Sequence, residues 1–172
     1  NRLTDYVIRR NQELNTLKQI GNALASSTFD INHVLKYTID MISTVMNVEA
    51  GALLLMREGG LEFIVTLNLD MERLRGVRIP LGQGVAGYVA TRGSAVIAND
   101  IGKSPLFSPD VDSATGFHTK DVLCVPMISE GRVTGVVEVL NKKDGEFDAS
   151  DKELLQSIAS SVIVAIENAN HY

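Results

Sequence analysis

Cysteine is nearly absent from this chain: Cys124 is the only one among 172 residues. A single cysteine excludes an internal disulfide and a cysteine-rich metal site, and it fits a reducing compartment. The three histidines, His33, His118 and His171, lack the spacing of metal ligands. The sequence therefore predicts no metal site and a cytoplasmic location.

Long hydrophobic runs are also missing. GALLLM and VTGVVEVL are the longest, far below the roughly 20 residues that a membrane-spanning helix needs. No secretory signal is recognisable at the start. The net charge of −5 and the pI near 5.2 argue against a nucleic-acid duplex or an anionic membrane surface as the main partner. We therefore expect no nucleic-acid partner and no membrane partner.

Catalytic patterns are equally scarce. No Ser-His-Asp arrangement or paired-carboxylate motif stands out, and the Gly-Lys-Ser/Thr of a nucleotide-binding P-loop is absent. Cys124 lies between Leu123 and Val125, where a small buried side chain is a better interpretation than a nucleophile. With 45% hydrophobic and 22% charged residues, near globular averages, the chain has the composition of one folded domain that is not an enzyme.

Helical patterns occupy both ends of the chain. Residues 1–26 carry a heptad seam, imperfect at Arg10 and Gly21, and its positions are Leu3, Val7, Arg10, Leu14, Leu17, Gly21 and Leu24. The stretch 26–30 breaks this helix and offers Thr28 or Asp30 as the N-cap of a second helix to about residue 47. A last helix runs from about residue 150 to the end, with a stripe at Leu155, Ile158, Val162, Ala165 and Ala169.

Extended patterns occupy the middle. AGALLLM and LEFIVTL flank the turn REGG, and DVLCVPMI and VTGVVEVLN flank the turn SEGR, so we predict two hairpins. VRIPL and SAVIAN are shorter strands, and GVAGYVATRG is a short helix that begins at Gly84 and ends near Gly93. The order helix, strands, helix predicts an α+β fold with a mostly antiparallel sheet.

Glu138 is the most informative single residue. By the two-residue period of a strand it shares a face with Val136 and Leu140, and a carboxylate on a half-buried apolar face is costly unless it is paired. Two alternatives stay open: the face is partly solvated, or Lys142 on the same face neutralises the charge.

Two further polar features precede predicted elements. Gly82 and Gly84 lie just before the short helix, where free N–H groups accept phosphates, although many such turns only connect elements. Asp112, Thr115 and Thr119 lie together before a strand. If the segment is helical the two threonines share a face, and otherwise it is a solvated turn.

The stretches GQGVAGYVA and TGFHTKDVLCVP, followed by the Asn-Lys…Phe-x-x-x-Asp pattern, resemble a GAF domain. The resemblance covers about residues 30–170 and is strongest to the cyclic-nucleotide-binding GAF domains of phosphodiesterases and adenylyl cyclases. It implies a six-stranded, mostly antiparallel sheet with terminal helices on one face and a ligand pocket on the other. Residues 1–27 would form a connecting helix and residues 28–172 the GAF domain.

The resemblance also implies roles for particular residues. The predicted ligand-binding positions are Gly84, Val85, Ala86, Asp112, Thr115, Thr119 and Glu138. The family's structural motif falls on Asn141, Lys142, Phe147 and Asp151, with an expected Lys142–Asp151 pair, and Lys152 stands where the family has Glu. On the opposite wall of the pocket, Ala52, Thr66 and Leu67 replace residues of cyclic-GMP-binding members, which removes an acceptor for the guanine edge.

These features predict a regulatory sensor domain. It would bind a small molecule, with cyclic AMP (cAMP) or cyclic GMP (cGMP) as candidates, and relay the signal through its terminal helices to an attached effector domain. The alternative is a dimerisation and relay module that binds no ligand. Both interpretations expect a homodimer through the terminal helices. An enzyme of the methionine sulfoxide reductase type would need several cysteines.

Overall fold

The structure, a computed structural model, describes residues 1–25 and 31–170 and, within these, the side chains of 1–19 and 31–169. The predicted N-caps Thr28 and Asp30 and the histidine at 171 lie outside the described residues. The helices are α1 (Arg2–Ala25), α2 (Ile31–Met46), α3 (Met71–Leu74), α4 (Gly84–Arg92), α5 (Asp110–Thr115) and α6 (Ala149–Asn170). The strands are β1 (Val48–Arg57), β2 (Gly60–Leu67), β3 (Arg78–Ile79), β4 (Val96–Ala98), β5 (Val122–Ser129) and β6 (Arg132–Lys142).

The six strands form one sheet in the order β3-β2-β1-β6-β5-β4. Every pairing is antiparallel, and the two long central strands, β1 and β6, pair from Val48 with Lys142 to Leu55 with Gly135. Both predicted hairpins, β1–β2 and β5–β6, are confirmed. The fold is α+β, as the sequence indicated.

Alternation along the central strands gives the sheet two apolar faces. Val137 and Val139 of β6 pack with α2 and α6, whereas Val136 and Leu140 pack with α4 and the connections around it. Because successive side chains of a strand point to opposite faces, these neighbours belong to separate cores. The terminal helices thus cover one face and leave the other to α3, α4 and α5.

The apolar stripe of α6 has a different role from the one predicted. Leu155, Ile158, Val162 and Ala165 are buried in the core beneath the sheet. A heptad-like spacing also describes a helix packed on a sheet, because both need one continuous apolar face. This stripe is therefore not available as the seam of a dimer.

The first half of the apolar stripe of α1 is exposed to solvent. Leu3, Val7 and Leu14 are 72%, 47% and 52% exposed, while Thr16, on another side of the helix, is buried and donates its hydroxyl hydrogen to the Gln12 carbonyl at 2.9 Å. Leu3, Val7 and Leu14 of the stripe thus face solvent, whereas Leu17 packs against the core.

The four-residue helix α3 was not predicted. Asp70 caps it by accepting a hydrogen bond from the Glu72 N–H at 3.0 Å, and Leu74 anchors it in the core. One turn is too short to show a helical period in the sequence.

Candidate functional site

A cavity of about 150 Å³, partly open to solvent, lies on the face of the sheet opposite α2 and α6. Its walls come from the start of α4, the segment leading into α5, and the inner strands β5 and β6. It is lined by Val77, Arg78, Ile79, Pro80, Gln83, Gly84, Val85, Ala86, Phe107, Ser108, Asp110, Val111, Asp112, Thr119, Val122, Glu138 and Leu140. Six of the seven predicted ligand-binding residues are among them.

The first turn of α4 forms one wall. The helix begins at Gly84, and Gln83 before it caps the helix with no side-chain hydrogen bond; its amide instead donates to Asp110 Oδ2 at 3.1 Å. The first N–H groups of a helix have no partner within the helix, so those of Gly84, Val85 and Ala86 are available at the cavity. Partial positive charge at this end favours an anionic group.

Gly87 lets this turn approach the preceding loop. Its carbonyl accepts a hydrogen bond from the Gly82 N–H at 2.9 Å, and a Cβ built on Gly87 would lie 2.5 Å from the Pro80 carbonyl oxygen. The close approach therefore requires glycine at position 87.

The second wall is a lid formed by residues 107–120, which include α5. Within the lid, Asp112 accepts two hydrogen bonds from Thr119, from its N–H at 2.8 Å and from its hydroxyl at 2.7 Å. Both residues line the cavity. The polar stretch that could have been a solvated turn is thus a folded segment with its own internal bonds.

Thr115 is the one predicted ligand-binding residue that does not line the cavity. Its hydroxyl donates to the Val111 carbonyl at 2.8 Å and accepts from the Phe117 N–H at 3.3 Å. The condition for a helix face shared with Thr119 is not met, because Gly116, with φ of 77°, ends α5 just after Thr115.

Glu138 lies at the base of the cavity and is only 8% exposed. No described residue forms a hydrogen bond or ion pair with its carboxylate. Burial, and then the nearby charge of Asp112, raises its pKa from 4.5 to about 7. The side chain therefore changes between a hydrogen-bond donor and a charged acceptor close to neutral pH.

Of the two alternatives for Glu138, neutralisation by Lys142 is wrong, whereas the carboxylate does lie at a cavity that is partly open to solvent. The Lys142 ammonium lies 2.6 Å from Asp151 Oδ2, on the side of the sheet that carries α6. Asn141 accounts for the change of face at Lys142, because its left-handed backbone, with φ of 60°, interrupts the alternation of side chains along β6.

The Asn-Lys…Phe…Asp motif links three parts of the fold. Asn141 Oδ1 accepts from the Lys120 N–H at 2.7 Å, and Asn141 Nδ2 donates to the His118 carbonyl at 2.9 Å. These bonds attach the end of the lid to β6. Phe147 is buried, and its backbone exchanges two hydrogen bonds with the Asn99 side chain, at 2.9 and 3.0 Å.

The carboxylate of Asp151 forms ion pairs with two cationic side chains. It is fully buried and lies 2.6 Å from Lys142 and 2.5 Å from Arg9 of α1. Burial alone would raise the pKa of this carboxyl, but the hydrogen bonds from Lys142, Arg9 and the Asp148 backbone lower it below its ordinary value. Sequence reasoning missed Arg9, because no local pattern connects it with a residue 142 positions away.

Three positions, at which the resemblance places residues that distinguish cyclic-GMP-binding members, lie outside this cavity. Ala52 is fully buried and pairs in register with Glu138, and the Thr66 hydroxyl donates to the Leu69 carbonyl at 2.8 Å. Leu67 packs on the other face of the sheet. None of the three lines the cavity.

The sheet, the helix-covered face and the cavity on the opposite face define an α+β domain with a pocket on one side. The family model for the GAF domain matches residues 30–166, and the chain belongs to the GAF domain family. A GAF domain from a phosphoenolpyruvate-protein phosphotransferase of Coxiella burnetii superposes with a TM-score of 0.80 at 18% identity, covering 93% of this chain and 95% of that one. At such identity the likeness concerns the fold alone.

Curated proteins with similar sequences include phosphodiesterases. A probable 3',5'-cyclic phosphodiesterase of Caenorhabditis elegans is 34% identical over 106 residues, or 62% of this chain. A dual 3',5'-cyclic-AMP and -GMP phosphodiesterase of Drosophila melanogaster is 32% identical over 148 residues, or 76% of this chain. The chain spans 15% and 10% of the lengths of these relatives.

The free methionine-R-sulfoxide reductase of Neisseria meningitidis shares the fold, with a TM-score of 0.76 at 21% identity, covering 92% of this chain and 90% of that one. Across the helices that the structure describes, none combines the length and apolarity needed to cross a membrane.

Proposed function

We propose that this GAF domain is a regulatory sensor that binds a small molecule in the cavity between α4, the lid and β6. The observation that carries the proposal is Glu138, a buried carboxylate that faces the cavity with no partner among the described residues. A buried polar group without a partner costs stability unless a ligand or water satisfies it.

The two ends of the cavity favour a ligand with two kinds of group. The N–H groups of Gly84, Val85 and Ala86 suit an anionic group such as a cyclic phosphate. Glu138 and Asp112 suit a group that donates hydrogen bonds, such as the exocyclic amine of a base. cAMP carries both. cGMP is the second candidate, and the similarity to dual-specificity phosphodiesterases supports testing both.

The size of the cavity indicates that the lid moves. Ligand pockets usually enclose about 300–1,000 Å³, whereas this cavity measures about 150 Å³. A nucleotide would enter only if residues 107–120 swing outward and then close on it. Ordering of the lid around a ligand would shift the population of lid conformations, which is the change that a sensor transmits.

The relay that we propose runs through the terminal helices, with residues 1–27 as a connecting helix and residues 28–172 as the sensor domain. The exposed stripe of α1 would pair with a second copy as a parallel coiled coil, and an effector domain elsewhere in the same polypeptide would receive the signal. In this arrangement the domain regulates and performs no catalysis, and we expect it to work in the cytoplasm.

A ligand-free dimerisation module is the second candidate function. The small cavity favours it, because a pocket already narrowed by protein atoms needs no ligand to fill it. It leaves the unpartnered Glu138 without explanation, and for this reason we prefer the sensor.

Thermal unfolding with cAMP or cGMP tests the choice. A ligand present at 100 times its Kd stabilises the folded state by about 2.7 kcal/mol, which raises the Tm of a domain of this size by about 5–10 °C. Glu138→Leu should abolish the rise, whereas Glu146→Gln, at an exposed position, should keep it. If neither nucleotide raises the Tm of the wild-type chain, the sensor proposal fails for this ligand class and the ligand-free module becomes the better account.

A further inference from the structure

Asp151 is shared by two cations that come from different parts of the chain. Lys142 ends β6 and lies 2.6 Å from Oδ2, while Arg9 belongs to α1 and lies 2.5 Å from Oδ1. The carboxylate also accepts the Asp148 N–H at 3.0 Å, and Asp148 Oδ1 accepts the Asp151 N–H at 2.9 Å. This reciprocal pair is the geometry of a capping box, and it fixes Asp151 at the start of α6.

Arg9 is the cation that the cluster can release. Lys142 alone balances the charge of Asp151, and its side chain is 12% exposed, compared with 29% for Arg9. Removing Lys142 would leave the buried carboxylate with the more exposed cation, whereas removing Arg9 would leave it with the more buried one. We therefore expect the fold to tolerate the loss of Arg9 better than the loss of Lys142.

The second half of α1 packs on the domain through Thr16 and Leu17. Among the side chains of residues 1–15, by contrast, none is buried. An ion pair that reaches a buried carboxylate is consequently a large part of what holds the first half of α1 in place.

The same cluster is bonded to the end of the lid. The Lys142 N–H donates to Asp121 Oδ1 at 2.8 Å, and the Asn141 N–H donates to the Asp121 carbonyl at 2.9 Å. Asn141 Oδ1 accepts from the Lys120 N–H. Thr119, one residue earlier, is held by Asp112 at the cavity. Hydrogen bonds, joined through the peptide backbone at residues 119–120 and 141–142, thus connect the cavity with Arg9.

We propose that the Arg9–Asp151 ion pair is a releasable latch through which the state of the lid reaches α1. Opening of the Asp112–Thr119 contact shifts residues 119–121, moves Asn141 and Lys142, and repositions the carboxylate that Arg9 binds. The biological meaning of the latch rests on the proposed sensor function. The coupling that we propose does not require a ligand, so it can be tested without one.

Amide hydrogen exchange of residues 2–18 in the intact chain measures the latch. Arg9→Gln should speed exchange of these amides at least tenfold and leave β6 unchanged. Arg10→Gln is the matched control, because among the described residues Arg10 pairs only with Glu13 on the same helix, at 3.2 Å. The comparison is repeated in a Leu14→Asp background, so that protection by a second copy cannot hide the effect. Equal exchange in both arginine variants would overturn the latch.

A second set of variants tests the coupling. Thr119→Val removes the hydroxyl bond to Asp112 and should speed exchange of α1 at least threefold, with no further effect once Arg9 is Gln. Thr115→Val, which breaks lid bonds to Val111 and Phe117 that lie away from the cavity and from residues 119–121, should leave exchange of α1 unchanged. The coupling is wrong if Thr119→Val leaves α1 exchange unchanged, or if its effect persists in full in the Arg9→Gln variant.

Adding cAMP or cGMP separates the two proposals. A ligand that raises the Tm of both chains should change α1 exchange in the wild type and not in Arg9→Gln. If the ligand raises the Tm but changes the amide exchange of α1 equally in the wild type and in Arg9→Gln, the latch is wrong and the sensor function stands. If no ligand raises the Tm, the sensor proposal fails while the lid variants still decide on the latch.

Discussion

Lys142 and Asp151 form an ion pair at 2.6 Å, with side chains 12% and 0% exposed. Losing one partner of a buried pair is costly, because the other charge stays out of water. Lys142→Met should therefore lower the free energy of unfolding by about 2 kcal/mol, less than for an isolated pair because Arg9 still faces the carboxylate.

The neighbouring Lys143 provides the control for this prediction. It is exposed, and Lys143→Met should change stability by no more than about 0.5 kcal/mol. Urea denaturation of the three chains measures both effects, and equal midpoints for the two variants would contradict the structural role of the pair.

Glu138 makes stability depend on pH in a predictable direction. Its pKa is 4.5 ordinarily and about 7 in the fold, so between these values the folded state binds more protons than the unfolded chain. Stability contributed by this group is complete below pH 4.5 and is lost as the pH rises through 7. The loss amounts to about 3 kcal/mol.

Glu138→Gln removes the titration. The stability of this variant relative to the wild type should grow as the pH rises from 4.5 to 8, whereas Glu146→Gln should follow the wild type throughout. Chemical denaturation at five pH values gives the comparison. Parallel curves for the wild type and Glu138→Gln would mean that the carboxyl titrates normally.

Gly87→Ala separates helix propensity from packing. In the interior of a helix, alanine is more favourable than glycine by about 1 kcal/mol, but here the added Cβ would lie 2.5 Å from the Pro80 carbonyl oxygen. We expect a net loss of about 1–3 kcal/mol. Gly102→Ala is the control, because its Cβ would meet no atom closer than 3.6 Å. A stabilised Gly87→Ala chain would show that the loop before α4 gives way.

Leu14→Asp tests the seam on α1. Leu14 is 52% exposed, and a charge at a seam position of a coiled coil opposes association. Light scattering should show a dimer for the wild type and a monomer for this variant. Asn15→Asp adds the same charge on the adjacent outward position and should stay dimeric. A dimer that survives Leu14→Asp would place the interface elsewhere on the molecule.

Much of the fold was predictable from local patterns. Alternation predicted both hairpins, and glycine at the end of α4 predicted its stop, since Gly93 has φ of 70°. The stripe of α6 was recognised but misassigned. An apolar face predicts burial without naming what covers it, and here the sheet covers Leu155 and Ile158.

The candidate site was predictable where the family resemblance supplied the positions. Gly84, Asp112 and Glu138, distant in sequence, line one cavity, while their contact with a ligand stays a prediction. Thr115 lies outside the cavity, and the turn at Gly116 ends α5 directly after it. Arg9 was missed because its partner is distant in sequence and its own helix gives no signal for it.

The two edges of the sheet are very short. β3 pairs through two residues and β4 through three, and Pro80, which has no N–H to donate, directly follows β3. An incoming strand would find only two or three backbone positions to bond on β3 or on β4, too few to hold it. The short outermost strands therefore limit edge-to-edge pairing of the folded domain.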